Sequence, residues 1–379
     1  MTRSAYITRT AAFLPNDPVG NDDMERIIGQ AGDRPSRARR MVLRSNGITS
    51  RHYAIDPVTL KPSHTNAQMT AEAVRRLGVD LNAVGCLACG TSTPDQLMPN
   101  HAVMSQGELK MHAAEVIATS GICLSGATAM KYAWMGVISG EHEACVATGS
   151  DLATGLTQAS NFSAEQDDKV EALEKRPELA FEKDFLRWML SDGAGAVLME
   201  AAPRGDTLNL RVDWIDIASH AGDMETCMYA GAVKNQDSSI TSWTRMDRET
   251  RDRSSALAIK QDVKLLNEEV IRYTLEKTLA PIVRRRNLKV EELDHFLPHY
   301  SSNFFRDRVK AGLDTIGFPI PQDRWFSNLN VRGNTGAASI YIMIDELIRS
   351  GRIERGQRLL CWVPESGRFS AGFIHLTAV

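Results

Sequence analysis

Nine short apolar runs of strand-like length alternate with helical patterns along the 379 residues, and no other feature narrows the fold as much. The runs are Ala5–Leu14, Val84–Thr91, Glu115–Ser120, Ala144–Ser150, Ala194–Glu200, Leu208–Ala218, His295–His299, Arg358–Pro364 and Ala371–Thr377. Helical patterns fall at Asp22–Ala31, Thr65–Leu77, Met98–Gly107, Leu124–Ser139, Ala256–Leu279, Asn303–Gly312 and Gly336–Ser350. Strands separated by helices stack as helix and sheet layers, so the class is α/β. The element order before the polar break at Pro203-Arg-Gly-Asp206 is loosely repeated after it, although residue identity is not.

Three residues at element ends carry the chemistry. Cys123 lies between the β-branched Val116-Ile117 stretch and the small-residue helix Leu124–Ser139. Backbone N–H groups and the helix dipole at such a place favour an anion, so a lowered thiol pKa is expected. Taken alone, the segment fits a small buried hydrophobe equally well. His299 ends a short apolar strand, Phe296-Leu-Pro-His, and Asn334 sits in the glycine-flanked turn Val331-Arg-Gly-Asn-Thr-Gly. A lone histidine after proline is usually structural, and a lone asparagine there usually forms a turn. Together the three make a set for acyl transfer: a sulfur that becomes a thioester and two neutral donors for an oxyanion.

With these segments in view, the chain resembles the type III β-ketoacyl-acyl-carrier-protein synthases of the thiolase superfamily, over nearly its whole length. The most specific segments are Pro298-His-x-x-x-Asn303 and Gly333-Asn-Thr-x-Ala-Ala-Ser339. Arg44-Ser-Asn-Gly-Ile-Thr-Ser-Arg51, Gly90-Thr-Ser-Thr with Met98-Pro99, and Ser191-Asp-Gly-Ala-Gly-Ala196 add to it, with Asn46 in place of the family's threonine. The resemblance implies a thiolase-like duplicated α-β-α-β-α fold. Residues 1–202 form the half with the nucleophile, interrupted by a charged insertion near 157–188, and residues 203–379 form the half with His299 and Asn334. It further implies that Cys123 carries the acyl group, and that His299 and Asn334 promote decarboxylation of a malonyl-type extender. The product is a new carbon–carbon bond, with no metal or redox cofactor required. The family pattern also implies a homodimer with Gly90–Leu109 at its two-fold interface and Met98 near the partner's acyl tunnel. Asn303, Gly367 and Phe369 complete the substrate-binding expectations, with a backbone N–H of the Glu365–Gly372 turn serving the oxyanion.

This sequence departs from the family just before Arg44. Enzymes that take acyl-CoA primers usually carry a tryptophan there, whereas this stretch has no aromatic residue and clusters Arg34, Arg37, Arg39 and Arg40. Arg39 and Arg40 therefore point to an acidic acyl-carrier protein as donor rather than acyl-CoA. The departures resemble the branch that makes dialkylresorcinol or cyclohexanedione rings. Arg368 beside the oxyanion turn is unexpected.

Composition excludes several other classes. A net charge of −3 lacks the basic excess of a nucleic-acid surface. No apolar run reaches membrane-spanning length, and the start is not signal-like. The six cysteines show no disulfide framework in a chain this size, which fits a reducing cytoplasm. Cys86-Leu-Ala-Cys89 has metal-like spacing, but residues three apart on a strand face opposite ways and no second ligand pair follows. Three competing functions share the Cys, His and Asn set. A papain-like hydrolase lacks its Cys-Gly-x-Cys-Trp neighbourhood here. An acyltransferase would pass the Cys123 acyl group to an alcohol or amine. A non-catalytic partner subunit would not need the three residues intact.

Overall fold

The computed structural model describes residues 3–30, 39–162, 185–205 and 207–379. Nine strands make one sheet: β1 (Tyr6–Phe13), β2 (Cys86–Thr91), β3 (Glu115–Ser120), β4 (Ala144–Asp151), β5 (Gly193–Glu200), β6 (Leu210–Ser219), β7 (His295–Pro298), β8 (Arg358–Glu365) and β9 (Ser370–Ala378). Their order is β7-β8-β9-β6-β1-β5-β4-β2-β3. At one end β3, β2 and β4 run parallel, then β5 and β1 pair antiparallel. At the other end β7 and β8 run parallel, then β9 and β6 pair antiparallel. A parallel bridge from Phe296 to Trp325 extends that end where β3 extends the first. The two series meet where β1 pairs with β6. Residue 202, near which the two halves were expected to part, lies between β5 and β6.

Side-chain alternation along each strand separates the layers. On β2, Cys86 and Ala88 face a central cluster, while Leu87 and Cys89 face an outer one. That outer cluster is covered by α2 (Asn66–Arg75) and α3 (His101–Leu109), which follow α1 (Arg39–Asn46). The central cluster holds α4 (Leu124–Ser139) and α8 (Ser339–Arg349) between the two series of strands. On the far side, α5 (Val263–Ile271), a π-helical turn at Arg272–Glu276, α6 (Lys277–Arg286) and α7 (Arg306–Thr315) cover β7, β8 and β9. Five layers result, as the sequence led one to expect.

Local chemistry fixes the helix ends. Thr65 and Gln68 form a capping box at the start of α2, and Asn100 caps α3 by accepting from Val103 N–H at 3.0 Å. The helix expected from Ala256 begins only at Val263. Asp262 caps it there, and Lys260-Gln261 just before pairs as a strand with Met228-Tyr229. Most of the expected insertion near 157–188 lies outside the described residues.

The central helices meet at small residues. A Cβ on Gly126 would lie 2.2 Å from the Ala337 carbonyl oxygen, and one on Gly149 would lie 2.1 Å from it. Gly149→Ala is therefore expected to cost about 2–3 kcal/mol through overpacking of a core with no room to yield. Urea unfolding of wild type and variant measures it, and equal midpoints contradict the reading.

Candidate active site

Cys123, His299 and Asn334 line one cavity. Cys123 is the N-cap residue of α4, directly after the turn that ends β3. His299 follows β7 and donates its backbone N–H to Trp362 O at 2.9 Å, which continues the β7–β8 ladder. Asn334 is held from both sides of its backbone: its N–H donates to Met189 O, and its carbonyl accepts from Ser191 N–H, each at 2.8 Å. Its side-chain carbonyl turns back to accept from Gly336 N–H at 3.0 Å, which leaves the amide nitrogen as the donor available to a ligand.

Two carboxylates build the frame around this cavity. Asp151, at the end of β4, accepts from Ser92 N–H at 2.8 Å, from the hydroxyls of Thr91, Ser92 and Thr93, and from Ala337 N–H at 2.7 Å. Gly336 has φ +55°, and a Cβ there would stand 1.9 Å from the Asp151 carboxylate, so this turn requires glycine. Asp192 accepts from Ala54 N–H at 2.7 Å and from Thr154 N–H at 2.9 Å. Burial lifts its pKa to about 6. It fixes the segment that carries Ser191 against the Asn334 turn.

The electrostatics depart from expectation at the sulfur. Burial pushes the Cys123 thiol pKa up, and the charges of Asp151 and Glu365 push it further; its backbone N–H only partly offsets them. The expected helix-stabilised thiolate is thus corrected: the resting sulfur is protonated. His299 is 5% exposed, and burial lowers its pKa to about 4. At neutral pH it is an uncharged imidazole with one N–H to donate.

Of the other expected binding residues, none lines the cavity. Met98 is 84% exposed, outside the core, after which Asn100 starts α3. Asn303 is exposed, and the cavity takes Tyr300, Ser301 and Phe305 from that segment instead. Phe369 is fully buried core, near the Tyr273 ring, and its carbonyl accepts from His220 N–H at 3.0 Å. Gly367 gives its carbonyl to Cys227 N–H at 2.8 Å, while its neighbour Ser366 reaches the cavity. Arg39 forms an ion pair with Glu25 at 3.3 Å, Arg40 is exposed, and Arg34 and Arg37 lie outside the described residues. Arg368 donates twice to Met224 O and so braces the turn rather than the cavity.

Cys86 and Cys89 face opposite sides of the sheet. Cys86 instead lies near Glu115 and His142, and Glu115 accepts from both His142 and Tyr132. Sequence reading passed over Asp151, Gln261 and Glu365. The visible signal for Glu365 was an acid opening the Glu365–Gly372 turn expected to serve the oxyanion.

Known proteins are similar to this chain in sequence and in fold. Residues 283–375 match the family described as 3-Oxoacyl-[acyl-carrier-protein (ACP)] synthase III C terminal. The chain is 24% identical over 371 residues, 95% of each protein, to a β-ketoacyl-[acyl-carrier-protein] synthase III of Xanthomonas oryzae pv. oryzae. Its structure superposes on AbyA1, a tetronic acid condensing enzyme, with TM-score 0.75 and 19% identity, covering 98% of this chain and 99% of that one. It superposes on Xanthomonas campestris OleA with bound lauric acid and lauroyl-CoA with TM-score 0.73 and 19% identity, covering all of both chains.

The neutral His299 gives a pH prediction. Its folded pKa of about 4 lies below the ordinary value of 6.5, so the stability linked to it is present above pH 6.5 and is lost as pH falls towards 4. The loss is about 3 kcal/mol in full. Urea unfolding from pH 7 to 4 should show a smaller decline for His299→Gln than for wild type. Parallel declines contradict the buried neutral state. The chain is a relative of the type III 3-oxoacyl-[acyl-carrier-protein] synthases, built on the thiolase fold.

Proposed function

We propose that the protein is a ketosynthase that forms a carbon–carbon bond by Claisen-type condensation of a Cys123-bound acyl group with an acyl-carrier-protein thioester. The observation that carries this reading is the convergence of Cys123, His299 and Asn334 on one cavity whose walls include Leu156, Met189, Leu266 and Val270. The cavity's apolar side takes an acyl chain and excludes water from the thioester. The place of the product is fatty-acid or specialised metabolism, with a polyketide or dialkylresorcinol-like outcome.

In this mechanism the Cys123 sulfur loses its proton as it attacks the donor carbonyl, and the donor thiol leaves. The extender then loses carbon dioxide, and the resulting enolate oxygen receives hydrogen bonds from His299 and from the Asn334 amide nitrogen. A neutral imidazole suits this task, because it donates without surrendering its proton to the enolate. One such donor is worth on the order of 3 kcal/mol. The enolate carbon attacks the Cys123 thioester, the β-keto product departs, and the released thiolate takes up one proton from solvent to restore the thiol. The turn at Ser366-Gly367 supplies a further backbone donor for the oxygen of the Cys123 thioester.

The reading extends to assembly and place. The apolar Leu97 and Met98, 73% and 84% exposed, fit a two-fold contact between copies of this chain. All six cysteines are free thiols, which fits a cytoplasmic setting, and among the described residues no helix is long and apolar enough to cross a membrane. Exposed Arg40 fits an acidic carrier protein as donor.

Intact-protein mass spectrometry with a panel of acyl-carrier and acyl-CoA thioesters tests the chemistry. Cys123→Ala should lose self-acylation completely. His299→Ala and Asn334→Ala should still be acylated but lose condensation by at least a hundredfold, the scale of one lost oxyanion donor. Acylation of Cys123→Ala at the wild-type rate overturns the reading, and a product lacking the added carbons points to acyl transfer instead. Sedimentation should give a dimer that Met98→Asp dissociates; a stable, active wild-type monomer removes the proposed assembly.

A further inference from the structure

A second acid meets the nucleophile's helix from across the molecule. Glu365 ends β8, opposite Ser370 in the hairpin to β9. Its carboxylate reaches the N-terminus of α4, accepting from Ile122 N–H at 2.9 Å and Leu124 N–H at 3.3 Å. These are the residues on either side of Cys123. Gly121, at φ +153°, makes room for it: a Cβ there would come within 3.2 Å of the Glu365 carboxylate. The free N–H groups of a helix start are an anion-binding site, and here that site already holds an anion from the protein itself.

We infer that Glu365 occupies the anion-binding end of the Cys123 helix and thereby holds the resting nucleophile as a neutral thiol. A helix start favours a thiolate by offering N–H groups and a positive dipole end to the sulfur. At this site those groups are spent on a carboxylate, and the carboxylate's own charge opposes a second anion beside it. Asp151 acts on the sulfur in the same sense from β4, and His299 is neutral, so among the described residues at this cavity no cation offsets the two acids. Burial raises the pKa of Glu365 itself, while the two N–H bonds work to keep it charged. The consequence is a thiol guarded against adventitious oxidation and alkylation, whose proton is lost only in the course of attack. Glu365 is thus a positioning residue that acts through Cys123, and its catalytic meaning rests on the acyl-carrying role proposed above.

The charge state of the sulfur is measurable without turnover. Iodoacetamide alkylation of Cys123 in the whole protein, followed by peptide mass spectrometry across pH, should show a wild-type midpoint well above the ordinary cysteine value of about 8.5. Glu365→Gln keeps an oxygen for the Ile122 and Leu124 N–H groups and removes the charge. Its midpoint should fall by about one unit, so that alkylation at pH 7.5 becomes roughly tenfold faster. Glu365→Asp keeps the charge and should keep the wild-type midpoint. A wild-type midpoint at or below the ordinary value overturns the inference, even if the Gln variant does not fold. A Gln profile that overlies the wild type overturns it as well. A shifted profile in a protein that no thioester acylates upholds the role of Glu365 and removes the ketosynthase reading instead.

Discussion

The contact on which the site depends is the meeting of α4 and the start of α8 at the Ala337 carbonyl. That oxygen sits against Gly126 and Gly149, positions at which no side chain fits. The preceding peptide bond is tied by Asp151, which receives the Ala337 N–H and, on its other oxygen, the Thr91-Ser92-Thr93 turn. One residue therefore joins the ends of β2 and β4 to the turn that presents Asn334. Cys123 belongs to the first series of strands and Asn334 to the second. Their shared cavity exists because two backbones approach more closely than any substituted residue allows, and because a buried acid supplies the acceptors that this approach needs.

A charged group so deeply placed is costly unless its partners are complete. Asp151 is 3% exposed and takes hydrogen bonds from two backbone N–H groups and three hydroxyls, which offsets much of its desolvation. Asp192 repeats the device one layer away, binding Ala54 and Thr154 and so seating the Met189–Ser191 segment on which the Asn334 backbone hangs. Both acids are structural anchors, and the field of Asp151 also reaches the sulfur.

Much of the fold was legible because strand and helix periods differ and because small residues mark the central helices. Glu115–Ser120 and Leu124–Ser139 emerge with the boundaries read from the sequence. Cys123, His299 and Asn334 were legible because each stands where an element ends beside small residues, and the resemblance sharpened that signal. What local pattern could not reveal depends on long-range contact. Phe369 reads as a candidate ligand contact in sequence, yet its ring packs near Tyr273 into the far-side core that α5, α6 and α7 cover. Arg39 reads as free positive charge, yet Glu25 from a preceding helix pairs with it. The thiol pKa reads as depressed from the helix start alone. Burial in the folded interior reverses that direction, and the charges of Asp151 and Glu365 add to it; Glu365 lies 242 positions further along the chain.

The site is divided between the two series of strands in a way that follows the chemistry. The first supplies the sulfur on a helix start. The second supplies the uncharged donors and the acid that occupies that helix start. If donors and sulfur lay on one rigid element, their relation would be fixed by local geometry alone. Spread over two packed layers, it is fixed by the whole interior, so any loosening of the α4–α8 contact moves the donors relative to the sulfur. Neutrality of His299 follows from burial, and in the proposed mechanism the same burial keeps the Cys123 thioester dry: each depends on water being kept out. Under that proposal, a change that admits water would charge the imidazole more readily, weaken the oxyanion contact and expose the thioester to hydrolysis together. Packing at Ala337 and chemistry at Cys123 are in that sense a single constraint.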